Sequence, residues 1–134
     1  MKPIFLGLDE VLEIHRDQIR RYSGHAGIRD LELLKSAVAM PAAGVHGVYF
    51  HTDIYEMAAA YLFHIVRNHP FVDGNKRTGA VASIVFLMMN GIDIDVDEDR
   101  FADIVLSVAE GTIDKSAVAR FFRKQGGTKK PDGD

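Results

Sequence analysis

Nine consecutive residues, His69-Pro70-Phe71-Val72-Asp73-Gly74-Asn75-Lys76-Arg77, set an imidazole, a carboxylate, a glycine, an amide and two cations between two apolar stretches. An imidazole can take a proton from a hydroxyl near neutral pH. A carboxylate such as Asp73 can hold Mg2+, an ion that takes one or two carboxylates and otherwise keeps water or phosphate oxygens. Gly74 would let the backbone approach a phosphate closely, and Lys76 and Arg77 would balance its charge. Base, metal carboxylate and cationic clamps together describe phosphoryl or nucleotidyl transfer, where positioning and charge neutralisation do most of the catalysis.

The flanking stretches must position these groups. Ile54, Met57, Ala58, Tyr61, Leu62, Ile65 and Val66 recur at helical spacing, which predicts a helix over about 52–68 with Thr52 as its cap. Pro70 biases His69 away from helical angles, so that helix should stop near Asn68. Downstream, 78–89 is almost wholly apolar and closes with Asn90-Gly91, predicting a central helix over 75–90. It falls short of the roughly 20 apolar residues that span a membrane. The motif is thus a loop feeding the first turn of a buried helix. That turn contains a contradiction: the positive end of a helix dipole favours anions, yet Lys76 and Arg77 stand there. A bound phosphate would resolve it.

Each residue also has a plainer reading. Asp73 or Asn75 could be an ordinary cap, His69 a structural histidine, Gly74 a turn residue and Arg77 a solvated cation. Phe71 is read as structural, anchoring the loop in the core. The plain readings leave the misplaced cations unexplained, and a broken local rule is where function is expected.

The nine residues resemble the signature of the Fic/Doc family, most closely its death-on-curing (Doc) branch. By that resemblance His69 is the base for a target hydroxyl, Asp73 holds magnesium, Gly74 and Asn75 cradle phosphate, and Arg77 binds phosphate. The AMP-transferring Fic pattern has a second glycine where this chain has Lys76, and a further arginine where it has Ala80. Lysine at that place marks the Doc branch, in which the nucleotide is thought to bind in reverse and give up its terminal phosphate. Gly27-Ile28-Arg29-Asp30-Leu31 and the Glu10–His15 stretch also look like Doc-like chains, extending the resemblance over residues 1 to about 123. It implies an all-α Fic fold, a compact bundle of about six helices with a short flap or hairpin before the central helix. It further implies ATP as phosphate donor, Mg2+, elongation factor Tu as protein target, and toxin activity. A small antitoxin would neutralise it by docking a flexible C-terminal segment as a helix.

At 134 residues with a formal charge of −3, the chain is sized for one domain and presents no basic bias towards nucleic acid. Zero cysteines and a short apolar start are compatible with a cytoplasmic protein lacking a signal peptide. Further helices are expected over 9–22, 30–40, 97–110 and 114–123. Residues 124–134 lack apolar side chains and are expected to form a disordered tail. Between Pro41 and His51, Val45, Val48 and Tyr49 among spaced glycines permit a hairpin; in Fic-like folds this segment is a flap that docks the target, and the alternative is a simple connector. Asp93, Asp95 and Asp97 mimic a calcium loop, but Glu98 stands where its glycine belongs. His64 and His69 make a poor metal pair, and His64 is read as structural.

Overall fold

The computed structural model describes residues 2–126. In chain order these form helix α1 (Leu8–Tyr22), α2 (Leu31–Ala39), a 3-10 turn (Met40–Ala42), strands β1 (Gly44–Val45) and β2 (Val48–Tyr49), and helices α3 (Ile54–Asn68), α4 (Asn75–Met89), α5 (Glu98–Glu110) and α6 (Lys115–Gly126). The all-α expectation holds, with six helices and a small antiparallel hairpin among the described residues.

Helix α3 is the hub, packed against α2, α4, α5 and α6. That explains its composition: Met57 to Leu62 is buried without a break, followed by Ile65 and Val66. Three successive alanines, 58 to 60, keep its girth small enough for neighbours on several sides. Helix α4 approaches it at Gly79, where a Cβ would come within 2.9 Å of Val66 Cγ2 and 3.2 Å of the Leu62 carbonyl. The N-terminal segment is tied to this core by two side chains. Tyr61 Oη accepts from the Leu6 N–H at 2.7 Å and donates to its carbonyl at 2.9 Å; burial pushes this phenol up to about 12. Asn90 does the same for Ile4 at 2.8 and 2.9 Å.

Several boundaries depart from expectation. Helix α3 is capped by Asp53, whose carboxylate takes the Glu56 N–H at 2.8 Å, and Thr52 lies one step outside, bonded to Glu56. Both residue types cap helices well, and it is Asp53 that has the extended backbone next to the first helical residue. Helix α4 is not apolar-buried all round: Met88 and Met89 are exposed at its C-terminal end. Helix α6 continues through 124–126, so the expected tail begins later than Arg123; Arg123 and Lys124 in its last turn suit the negative end of the dipole. The rest of that tail lies outside the described residues. No helix among the described residues is long and apolar enough to cross a membrane.

Candidate active site

The site begins with how α4 starts. Gly74 caps it in a left-handed conformation (φ 80°) with no side-chain cap and no acid in the first turn. The Gly74 N–H itself is taken by Asp73 Oδ1 at 2.8 Å. The next three, on Asn75, Lys76 and Arg77, have no acceptor among the described residues, as the first turn of a helix dictates. A side chain at 74 would crowd Ile19 Cδ1 at 3.2 Å, and Arg77 Nη2 and His15 Cδ2 at 3.6 Å. The left-handed backbone is what calls for glycine here, with the Ile19 tip having to give slightly for any larger residue.

The loop ahead of it is fixed by a web of contacts. Asn75 is buried; its Oδ1 accepts from the Phe71 N–H at 2.9 Å and its Nδ2 donates to the Phe71 carbonyl at 3.0 Å. Its amide therefore serves the loop, and what it retains for a ligand is its backbone N–H. Phe71 is fully buried and stacks flat on His15, 3.7 Å between centroids, which places it as the expected anchor. His15 Nε2 bonds to the Asp73 carbonyl at 2.8 Å; a carbonyl only accepts, so Nε2 carries the proton. Burial, assisted by the Arg77 charge, holds the His15 imidazole below its usual range. The segment before α2 pairs with the loop as well. Val72 N–H donates to Gly27 at 3.0 Å, and the N–H groups of Arg29 and Asp30 both donate to Pro70 at 2.7 and 3.0 Å.

A cleft of about 190 Å³ opens along this turn, lined by His69, Asp73, Gly74, Asn75 and Lys76 with Arg67 and Ala109 opposite. That is below the roughly 300–1,000 Å³ of whole-ligand pockets and suits a phosphate group with its neighbours. His69 is exposed at the end of α3 in a left-handed conformation (φ 50°, ψ 53°). Five of the six nucleotide, metal and base residues expected from sequence thus share one cleft. Arg77, the sixth, lies on the α1 side of Gly74. There Nη2 donates to the Ser23 carbonyl at 3.1 Å and the guanidinium sits 5.5 Å from the Tyr22 ring centre.

The hairpin turns through His46 and Gly47, both with positive φ, as a tight two-residue turn requires. Val45 and Val48 are exposed and Tyr49 packs edge-on against Phe5, 5.7 Å between centroids. These three residues do not line the cleft. Sequence reasoning gave no role to Arg67, which donates to the carbonyls of Val108 and Ala109 at 3.3 and 3.2 Å and so ties α3 to the end of α5. Nor did it give roles to His15 as prop of the loop or to Arg29. Both stand in stretches that resemble Doc-like chains, and nothing in a single sequence names their partners.

Among the described residues no three metal-ligating side chains converge, so a cation here would rest on Asp73 alone, as Mg2+ bound partly through phosphate oxygens does. Asp73 fits that part. Hydrogen bonds from the His25 and Gly74 N–H groups, aided by Arg77, hold its carboxyl below the usual carboxylate range. Its Oδ2 lies 2.7 Å from where Gly24 would carry a Cβ, so glycine there leaves the carboxylate its room.

Fold and site together define an all-α protein organised around a histidine-to-arginine turn between its two innermost helices. The chain belongs to the Fic/DOC family, whose model matches residues 5–87. It is similar to Toxin Doc of Mycolicibacterium smegmatis (strain ATCC 700084 / mc(2)155), 41% identical over 100 residues that make up 73% of this chain and 77% of that one. It is also similar to Protein kinase doc of Escherichia phage P1, 33% identical over 116 residues, 87% of this chain and 90% of that protein.

Proposed function

We propose that this protein is a Doc-like toxin that transfers the terminal phosphate of ATP to a Ser or Thr hydroxyl of a protein target, elongation factor Tu. The observation that carries this reading is the start of α4, which has no acid in its first turn and where Gly74, Asn75 and Lys76 line one cleft with His69 and Asp73. In the step proposed, the His69 imidazole accepts the proton of the target hydroxyl. The hydroxyl oxygen bonds to the terminal phosphorus, and the bond from that phosphorus to the departing ADP oxygen breaks. Lys76 and the N–H groups of Asn75, Lys76 and Arg77 offset the charge of the phosphates, with the Arg77 guanidinium acting from the other side of Gly74. Asp73 would hold Mg2+, which when bound neutralises and orients phosphate oxygens. Lys76 in place of glycine, and Ala80 in place of a second arginine, support phosphate rather than AMP transfer. The names of the relatives, a toxin and a protein kinase, point the same way.

Purified protein with ATP and Mg2+ is expected to add one phosphate mass to elongation factor Tu, and none when Mg2+ is chelated or in the His69→Ala variant. An AMP mass on the target would move the chain to the adenylylating branch; no added mass with folded protein would end the enzymatic reading.

The exposed Val45 and Val48, with Tyr49 at their base, serve in this reading as the flap that docks the target. The partner that restrains the enzyme is an antitoxin whose C-terminal segment folds as a helix. An apolar groove between α4 and α5, floored by Ala80, Phe101, Val105 and Leu106 and ending at Lys76 and Arg77, is its proposed seat. Lys76 belongs to groove and cleft alike, so a helix lying there would reach the phosphate side of the site. Co-expression of the antitoxin should restore growth, and Leu106→Glu should cancel the rescue; rescue undiminished by that charge would place the antitoxin elsewhere.

A further inference from the structure

His69 holds a backbone conformation that neither its own type nor its successor favours. Left-handed ends of helices usually carry glycine, and a residue before proline is pushed towards extended angles. The other non-glycine residues with positive φ are Ser23 and His46, each followed by a glycine; His69 is followed by Pro70. The imidazole makes no hydrogen bond among the described residues and is exposed, so no contact of the ring holds it and the backbone beneath it sets where the side chain leaves the chain.

What holds that backbone is Arg29. Its Nε donates to the His69 carbonyl at 2.6 Å and its Nη2 to the Asn68 carbonyl at 2.9 Å. Its own N–H and that of Asp30 take the Pro70 carbonyl at 2.7 and 3.0 Å. Two adjacent residues thus supply four donors to three consecutive carbonyls, those of residues 68, 69 and 70. Asp30 is itself fixed, since its carboxylate caps α2 through the Leu33 N–H at 3.0 Å. The guanidinium is suited to this because its rigid fork can serve two carbonyls at once.

We propose that Arg29 is a positioning residue for His69: through the Asn68 and His69 carbonyls it keeps the chain in the left-handed turn that aims the imidazole into the cleft. This rests on the phosphotransfer reading for its kinetic consequence, while the geometric part stands without it. A lysine at 29 could reach one carbonyl at a time, and a methionine none.

The test compares Arg29→Met, Arg29→Lys and Asp114→Ala, the last removing the cap that Asp114 provides to α6 through the Ala117 N–H. Two readouts are taken: kcat and KM for ATP in target phosphorylation, and the backbone carbon shifts of His69 by NMR. Arg29→Met is expected to lower kcat roughly ten- to a hundredfold, as small misplacements of a catalytic group do, with KM for ATP within about twofold. Its His69 shifts should leave their left-handed values, and Arg29→Lys should fall between it and the unaltered protein on both readouts. Asp114→Ala should lower melting temperature and leave both untouched. Unchanged His69 shifts in folded Arg29→Met, or equal kcat losses in Arg29→Met and Asp114→Ala, would overturn the proposal. If Arg29→Met does not fold, the intermediate values of Arg29→Lys decide. If the unaltered protein transfers no phosphate, the enzymatic reading fails and the NMR comparison alone still judges Arg29.

Discussion

The two innermost helices begin in opposite ways. At the start of α3, Asp53 takes the Glu56 N–H at 2.8 Å, Glu56 takes the Thr52 N–H at 3.1 Å, and Arg123 bridges Asp53 and Glu56 at 2.8 and 3.2 Å. At that helix end, carboxylates of the chain itself answer the Glu56 N–H and the positive pole of the dipole. Four other helices follow the same habit: α1 through Glu10, α2 through Asp30, α5 through Asp97 and α6 through Asp114. Helix α4 shares a glycine cap with α1, and Asp73 just ahead of it takes the Gly74 N–H, but it has no acid at its cap or in its first turn, where two cations stand instead. The same kind of dipole thus meets carboxylates of the protein at one helix start and cations at the other, where the proposed function puts the phosphates. A structural helix end and a binding helix end differ in which side of the ledger the counter-charge comes from.

Exchanging the two habits tests this most directly. Lys76→Glu puts into the first turn of α4 an acid such as α1, α2, α3 and α5 carry there. Reversing a charge beside the phosphates should weaken nucleotide binding on the order of a hundredfold. The same change should stabilise the fold by roughly 0.3–1 kcal/mol, because an acid suits that end of the dipole. Isothermal titration and thermal melting read the two opposite signs, and a variant that loses both would contradict the comparison. The mirror variant, Asp53→Ala, should cost about 1 kcal/mol of stability by removing a cap and leave nucleotide affinity alone. Its surface pairing with Arg123 adds little to that.

A smaller effect belongs to His64. Its Nε2 lies 3.0 Å from Lys115 Nζ, so the imidazole must accept and stay neutral. Burial first, then the Lys115 charge, push it down to about 4 from 6.5. The unfolded chain therefore takes up this proton as pH falls through 6.5, while the folded chain resists until about 4. Stability contributed by the neutral ring is present above that window and lost across it. Replacing His64 with Gln, which still offers Lys115 an acceptor, should flatten the acid limb of a stability–pH curve between those values; an unaltered limb would count against a neutral, buried role.

The helices could be read from the chain because burial imposes period. The stripe from Ile54 to Val66 announces α3, and Asn90-Gly91 announces the end of α4. Misreadings gathered where several residues satisfy one local rule. Thr52 and Asp53 are both good caps, and the chain took Asp53. The polar run after Arg123 offers no apolar face, yet α6 carries on to Gly126 with Gln125 Oε1 3.5 Å from the Asp97 N–H. Within the site, residue types and their crowding into nine positions were visible. Hidden were the props: His15 under Phe71, Arg29 behind His69, Arg67 across the cleft. Each acts between distant parts of the chain, with sequence separations of 58, 40 and 41 in their hydrogen bonds.

Local chemistry was therefore written into the chain itself: where helices run, which turn interrupts them, and that cations stand at a pole that ordinarily repels them, all follow from neighbours a few residues apart. Tertiary structure decided which groups are spent and which remain. The Asn75 amide is consumed by the Phe71 backbone, Arg77 is drawn to Ser23, and the His69 backbone is gripped from α2's approach. Hydrogen bonds between distant segments depend on how the helices pack, and packing is settled only when the whole core closes.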